Sequence, residues 1–174
     1  MVQESIGIVL KSIPYSESSL ISRIFTPEFG KVSIIARGAK KAKGGNSAML
    51  EPMNIVEFQM NFNESKDLQI LREISIYQNL SSIRANIKKM AIGLVMVEIL
   101  DKTTHQFDPA PILYRLIESS ISELNNLDIP DMALFIFYLI QFSKYSGFNP
   151  VSETCHNCDR ELSSAFYNLQ SGFL

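Results

Sequence analysis

The hydrophobic pattern changes period once along the chain, near residue 80, and that change divides it. Upstream, apolar residues come in short runs rich in β-branched side chains: Ile6 to Leu10, Leu20 to Thr26, Val32 to Ala36, Asn54 to Phe62 and Leu68 to Tyr77. Runs of this kind between turn residues read as strands. Ser12-Ile-Pro-Tyr-Ser16 interrupts the first run with a proline. Pro27-Glu-Phe-Gly30 has the chemistry of a hairpin connection, Pro presetting φ and Gly supplying φ > 0. In the last run Leu68, Ile70, Ile74 and Ile76 keep one parity, which predicts that they share a face. Five short strands in about 75 residues predict a small sandwich or barrel, and an OB-type five-stranded barrel fits that count.

Downstream, Ile83, Ile87, Met90, Leu94 and Val97 recur at three- and four-residue spacing and predict a helix, with Ser81 or Ser82 as its N-cap. Asp108-Pro109 predicts a second helix start, Asp capping and Pro in the first helical position. Ile112, Leu113, Leu116, Ile117, Ile121 and Leu124 follow on it. Asp128-Ile-Pro130 opens a third helix, Asp131 to about Tyr145, closed by Gly147 and Pro150. It is nearly continuous in apolar and aromatic residues and is expected to be the buried spine of a helical domain. The expected fold class is α+β: an OB-fold β-barrel over residues 1–79, an α-helical domain over 80–150, and a partial, zinc-ribbon-like Cys-x-x-Cys segment over 151–174.

Composition adds little to this, with 46% hydrophobic and 20% charged residues. Charge adds more. The net charge of −2 is unevenly spread: residues 1–50 carry seven Lys/Arg against three Asp/Glu, whereas residues 91–174 carry four against ten. That asymmetry points the N-terminal part toward a polyanion and leaves the acidic part for other contacts. The longest apolar run, Met132 to Ile140, is short of the roughly 20 residues a membrane helix needs, and no signal peptide is visible at the N-terminus. A cytoplasmic protein with no membrane partner and no small-molecule substrate is expected.

The basic residues concentrate in Arg37-Gly-Ala-Lys-Lys-Ala-Lys-Gly-Gly45, between the third and fourth predicted strands. Arg37, Lys40, Lys41 and Lys43 are separated only by small residues, so a mobile loop here could neutralise several phosphates. A solvated loop whose charges serve solubility has the same composition. Lys11, Arg23 and Lys31, on or beside the first three strands, add to the positive side. In an OB-type barrel the first hairpin loop and the loop between strands 4 and 5 flank an oligonucleotide. Here these are Ser12 to Ser18, with Tyr15, and Asn61 to Ser65, with Phe62. Tyr15, Phe25 and Phe29 could stack on bases, and each could instead be core.

Catalytic chemistry is sparse. There are two histidines, His105 and His156, and no phosphate-binding glycine motif or nucleophile elbow; His105 reads as exposed and idle. No enzyme is expected. Cys155-His-Asn-Cys158 is half of a zinc-ribbon signature, since a closed structural site takes four ligands and no second Cys-x-x-Cys is present. An incomplete zinc site, idle thiols and a redox pair are the readings it allows. The last wants a helix N-terminus that is missing from the pattern.

Taken in order, Gly7-Ile-Val-Leu10, Tyr15-Ser-Glu17, Phe25-Thr26, Phe29-Gly-Lys31, Arg37-Gly-Ala-Lys-Lys-Ala-Lys43, Leu50-Glu-Pro52 and Leu68 to Leu71 resemble the N-terminus of the RecO family of bacterial recombination mediators. Ser143 to Pro150 and Cys155-x-x-Cys158 resemble its later segment. The resemblance implies an OB-fold domain, a helical domain and a four-cysteine zinc module. It also implies a DNA repair and recombination mediator that binds single- and double-stranded DNA, anneals strands, and helps load RecA together with RecR and single-strand-binding protein, through that protein's C-terminal tail. Arg37, Lys40, Lys41 and Lys43 match the family's basic residues after the third strand. Of the zinc ligands only Cys155 and Cys158 have counterparts, so zinc is expected only if further ligands lie beyond Leu174. A protein-interaction adaptor whose basic loop receives an acidic tail is the alternative reading.

Overall fold

The computed structural model describes residues 1–41, 43, 45–126, 131–148, 154, 155, 158, 160 and 161. Five strands, β1 (Val2–Pro14), β2 (Leu20–Thr26), β3 (Gly30–Ala36), β4 (Ile55–Asn61) and β5 (Leu68–Ile76), close a barrel in the order β1-β2-β3-β5-β4. Neighbours are antiparallel except β3 and β5, which are parallel. This is the OB-type barrel expected, and closure leaves no free sheet edge.

β1 is longer than its apolar run because it serves both halves of the barrel. Val2 to Ile8 pair with β4 and Ile8 to Pro14 with β2. A register shift between Val9 and Lys11 lets the strand turn the corner, as a bulge does. Pro14 therefore does not interrupt the strand but ends it. Gly7 sits inside the bend because a Cβ there would lie 2.5 Å from Ile24 Cγ2. Val9, Leu20, Ile24, Val32, Ile34, Val56, Phe58 and Met60 fill the barrel.

The parity expected for β5 holds only in part. A second bulge, between Gln59 and Met60 of β4, pairs Gln59 with Glu73 but Met60 with Leu71, leaving Arg72 as the extra residue. Side chains beyond that point change faces. Leu71 and Ile74 pack on the barrel core, and Gln69 is 1% exposed. Its buried amide is satisfied: Oε1 accepts from the Asn63 N–H at 2.8 Å, and Nε2 donates to the carbonyls of Asn63 and Lys66.

Four helices follow: α1 (Ser81–Arg84), α2 (Ile87–Thr103), α3 (Pro111–Asn126) and α4 (Asp131–Tyr145). The first predicted helix is thus two. The cap is neither Ser81 nor Ser82: Asn86, with extended backbone, accepts from the N–H groups of Lys88 (3.0 Å) and Lys89 (3.2 Å) and starts α2. α3 begins two residues later than predicted, with Pro111 and not Pro109 in the first helical position.

α4 has the bounds its sequence predicts, but it is not buried on all sides. Met132, Ile136 and Phe137 are 58%, 51% and 52% exposed, while Tyr138 is fully buried and its hydroxyl donates to the Met96 carbonyl at 3.2 Å. An apolar surface is covered only where a neighbour exists to cover it. Past its end, Gly147 at φ +84 donates to Lys144 O and Phe148 N–H to Ser143 O, a left-handed termination of the Schellman type. Residues Met1–Tyr138 form one compact unit and Leu139–Leu174 another.

Within the first unit, α2 packs on β1 and α3 on β2. Lys31 Nζ reaches the Asp101 carbonyl of α2, and Arg84 binds Glu51 Oε2 at 2.8 Å and Asn54 Oδ1 at 2.7 Å. The β2–β3 turn is anchored from the helical side too. Gly30 stands at φ +64, and a Cβ on it would lie 2.2 Å from the backbone oxygen of Asp108.

Candidate nucleic-acid interface

Strand directions sort the loops to two ends of the barrel. β1 ends, β2 begins and β3 ends together, so the β1–β2 loop and the basic segment after β3 emerge side by side. They are also joined. Lys40 N–H donates to Ser18 O at 3.0 Å, and Lys40 Nζ reaches Ser16 O at 3.1 Å. Ala39, between the cations, is 2% exposed and belongs to the barrel core, and its carbonyl accepts from Ser47 N–H at 3.0 Å.

Gly38 takes φ +71, and Lys41 N–H closes the turn onto its carbonyl at 3.1 Å. Arg37, Lys40, Lys41 and Lys43 are all exposed. Over residues 37–41 the segment expected as a loop forms a hydrogen-bonded turn. One alanine methyl in the core and three backbone bonds hold the turn, and its cations are exposed.

The remaining candidates separate. Tyr15, 62% exposed, lies in the β1–β2 loop next to Ser16 and so beside the basic turn. Lys11 is exposed near the end of β1. Arg23 is half-exposed and bound to Asp101 Oδ2 at 2.9 Å. Lys31 is 8% exposed and held by Asp101, so it leaves the set of residues able to meet a phosphate. Phe25 leaves the stacking set as well: it is fully buried, its ring 6.3 Å from that of Tyr114. Phe29 is partly buried against Phe62, with ring centroids 4.8 Å apart. Both aromatics stand at the other end of the barrel, where β2 and β4 finish and β3 and β5 start. Sequence periodicity could not reveal the Lys40–Ser18 tie, because it joins two loops across the barrel mouth.

His105 is exposed, as expected. Cys155 and Cys158 are not joined in a disulfide. Cys155 N–H donates to Arg160 O at 2.8 Å and Thr154 bridges Glu161. His156 lies outside the described residues. Two thiols are half of a structural zinc site. Among the described residues no group of three or more His, Cys, Asp or Glu could complete it. Cys155 and Cys158 alone do not make a closed zinc site. Among the described residues, no helix is long and apolar enough to cross a membrane.

Known proteins resemble this chain along both its barrel and its later part. Residues 1–80 match the family model for the N-terminal part of recombination protein O, and residues 84–174 match that for its C-terminal part. A DNA repair protein RecO of Bacillus pumilus is 30% identical over 175 residues, covering 100% of this chain and 67% of the relative. Those of Salinibacter ruber and Prosthecochloris aestuarii are 31% and 27% identical, over 86% and 89% of this chain. The chain spans 59% of the length of each of these two. With both family models matched in order along a five-stranded barrel and the helices after it, this chain belongs to the RecO family of DNA repair proteins.

Proposed function

We propose that this chain is a non-enzymatic mediator of DNA repair and recombination, acting in the cytoplasm at the nucleoid, whose barrel holds single- and double-stranded DNA by the phosphate backbone. Arg37, Lys40, Lys41 and Lys43 make the principal contacts, with Lys11, Arg23 and Tyr15 beside them. The observation that supports this most is the basic turn itself: Arg37, Lys40 and Lys41 are exposed on a backbone held by Ala39 and by the Lys40–Ser18 bond, and Lys43 is exposed just after it. Ordering the turn in advance lowers the entropy lost on binding. Among the described residues nothing at this end of the barrel resembles a base-reading helix, so the reading is one of phosphate contact without sequence selection.

Family membership supports the wider reading that the protein anneals complementary strands and works with RecR and the tail of single-strand-binding protein to load RecA. The acidic balance of residues 91–174 suits protein contacts more than DNA. The domain plan of barrel (1–79), helical domain (80–150) and Cys-x-x-Cys segment (151–174) is part of the same proposal.

The test is charge reversal. Replacing Arg37, Lys40, Lys41 and Lys43 with Glu weakens binding to a labelled oligonucleotide and reduces the slope of log affinity against log salt by about three units or more. Unchanged affinity and slope would remove the turn from the interface. An acidic peptide that binds the parent but not the quadruple variant, with oligonucleotide binding equal in both, would favour the adaptor reading.

A further inference from the structure

The end of the barrel away from the basic turn carries a groove of about 390 Å³ lined by Glu28, Phe29, Phe62, Glu64, Phe107 and Pro109. Three chain segments build it: the β2–β3 turn, the β4–β5 loop and the α2–α3 connection. Its floor is aromatic. Phe62 lies 4.8 Å from Phe29 and 5.9 Å from Phe107, edge-on to the latter at 76°. All three rings are only partly buried against the barrel core.

Phe107 is placed there deliberately by the backbone. It holds φ +56, uncommon for a residue with a Cβ. Its N–H donates to Lys31 O at 3.0 Å, and the preceding Gln106 donates from Nε2 to Asp67 O at 2.6 Å. The charged residues lining the groove are both carboxylates, Glu28 and Glu64, and both are exposed. Glu28 is oriented by Ser5, whose hydroxyl donates to Oε2 at 2.8 Å. The ammonium of Met1 donates to the Phe62 carbonyl at 3.2 Å.

An aromatic floor between two carboxylates repels phosphate and attracts a cation next to an apolar side chain, because ring faces and carboxylates both favour positive charge. We infer that this groove is a docking site for a partner protein segment in which Arg or Lys flanks an aromatic or large aliphatic residue. The apolar side chain lies on Phe29, Phe62 and Phe107, and the basic ones meet Glu28 and Glu64. Because the groove and the basic turn are at opposite strand ends, a partner can sit here while DNA occupies the other end. The inference does not require that the turn bind DNA.

The experiment is an NMR titration of the full chain, amide nitrogens labelled, with three short capped peptides whose centres are Arg-Phe-Arg, Ser-Phe-Ser and Glu-Phe-Glu. The expected result is saturable shifts confined to the amides of residues 28–29, 62–64 and 107 with the basic peptide, about tenfold weaker binding of the neutral one, and none of the acidic one. The double variant Glu28→Gln/Glu64→Gln, whose amide oxygen at position 28 can still accept from Ser5, should lose that preference while leaving the spectrum in place beyond Ser5 and the groove. A short oligonucleotide should leave the groove amides unmoved. Equal binding of the three peptides, shifts mapping to residues 37–41, no saturable shift at all, or nucleotide-induced shifts at Phe62 and Phe107 would each overturn the inference.

Discussion

The Lys31 ammonium donates to the backbone carbonyl of Asp101 at 2.6 Å and lies 3.7 Å from its carboxylate, which also binds Arg23. One acidic residue near the end of α2 thus gathers two cations from β2 and β3. The cluster fastens the barrel to the helices. Replacing Lys31 with Met should lower unfolding stability by roughly 1–3 kcal/mol, because Asp101 loses a partner in a buried setting. The same variant should bind an oligonucleotide as tightly as the parent. Lys41→Met should do the reverse, reducing the salt slope by about one unit while urea unfolding moves within about 0.5 kcal/mol. If Lys31→Met weakens DNA binding with unaltered stability, its assignment as a fastener is wrong.

The shape of the basic turn should matter apart from its charge. A Cβ on Gly45 would lie 2.4 Å from Lys41 O and 2.5 Å from Ala39 O, both backbone atoms. Gly45→Ala must therefore displace the turn, although every cation stays. We expect weaker binding of DNA by the Ala variant, about tenfold, with the thermal midpoint lowered by a few degrees. Parental affinity in an oligonucleotide titration would show that the charges act without a defined backbone.

The break between α1 and α2 rests on Asn86. Asn86→Ala should cost about 1 kcal/mol in chemical denaturation, since two amide groups lose their acceptor. Ser81→Ala and Ser82→Ala, at exposed positions that cap nothing, should stay within about 0.5 kcal/mol. The contrast between the three single variants is the measurement.

Buried phenols and a buried ammonium oppose one another at alkaline pH. Burial, foremost, raises the ionisation of Tyr114 and Tyr138 well above their ordinary 10.0. Their contribution to stability is complete below about pH 10 and declines as pH rises from there toward the raised values, because the folded state keeps protons that the unfolded state releases. Lys31 is lowered from 10.5, mainly by burial and against the attraction of Asp101. Between its lowered value and 10.5 the unfolded state holds more protons, so its share of stability increases with pH in that window. With no tryptophan in the chain, phenolate absorbance can be followed directly. Tyr114 and Tyr138 should appear only with the loss of circular dichroism, and Tyr114→Phe/Tyr138→Phe should flatten the alkaline decline. Early titration of all phenols in the folded chain would refute this.

Local chemistry determined much of this protein. The β-branched runs and their punctuation placed β2 and α4 at their observed bounds, and Pro27 to Gly30 was legible as a hairpin because φ preferences are properties of single residues. The cluster Arg37 to Lys43 was equally legible, since charge density needs no fold to be counted. Tertiary structure decided the rest. Bulges at β1 and across from Arg72 changed which side chains face the barrel, and a bulge is a relation between two strands. Lys31, Lys40 and Lys41 are alike in sequence, yet one lies buried against Asp101, one bonds Ser16 and one faces solvent. The difference is set by which neighbours closure of the barrel brings to each, and those neighbours are distant in the chain. Phe29 read as a stacking or core residue, Phe62 only as part of a loop, and Phe107 gave no signal; only the meeting of three loops made them the floor of one groove.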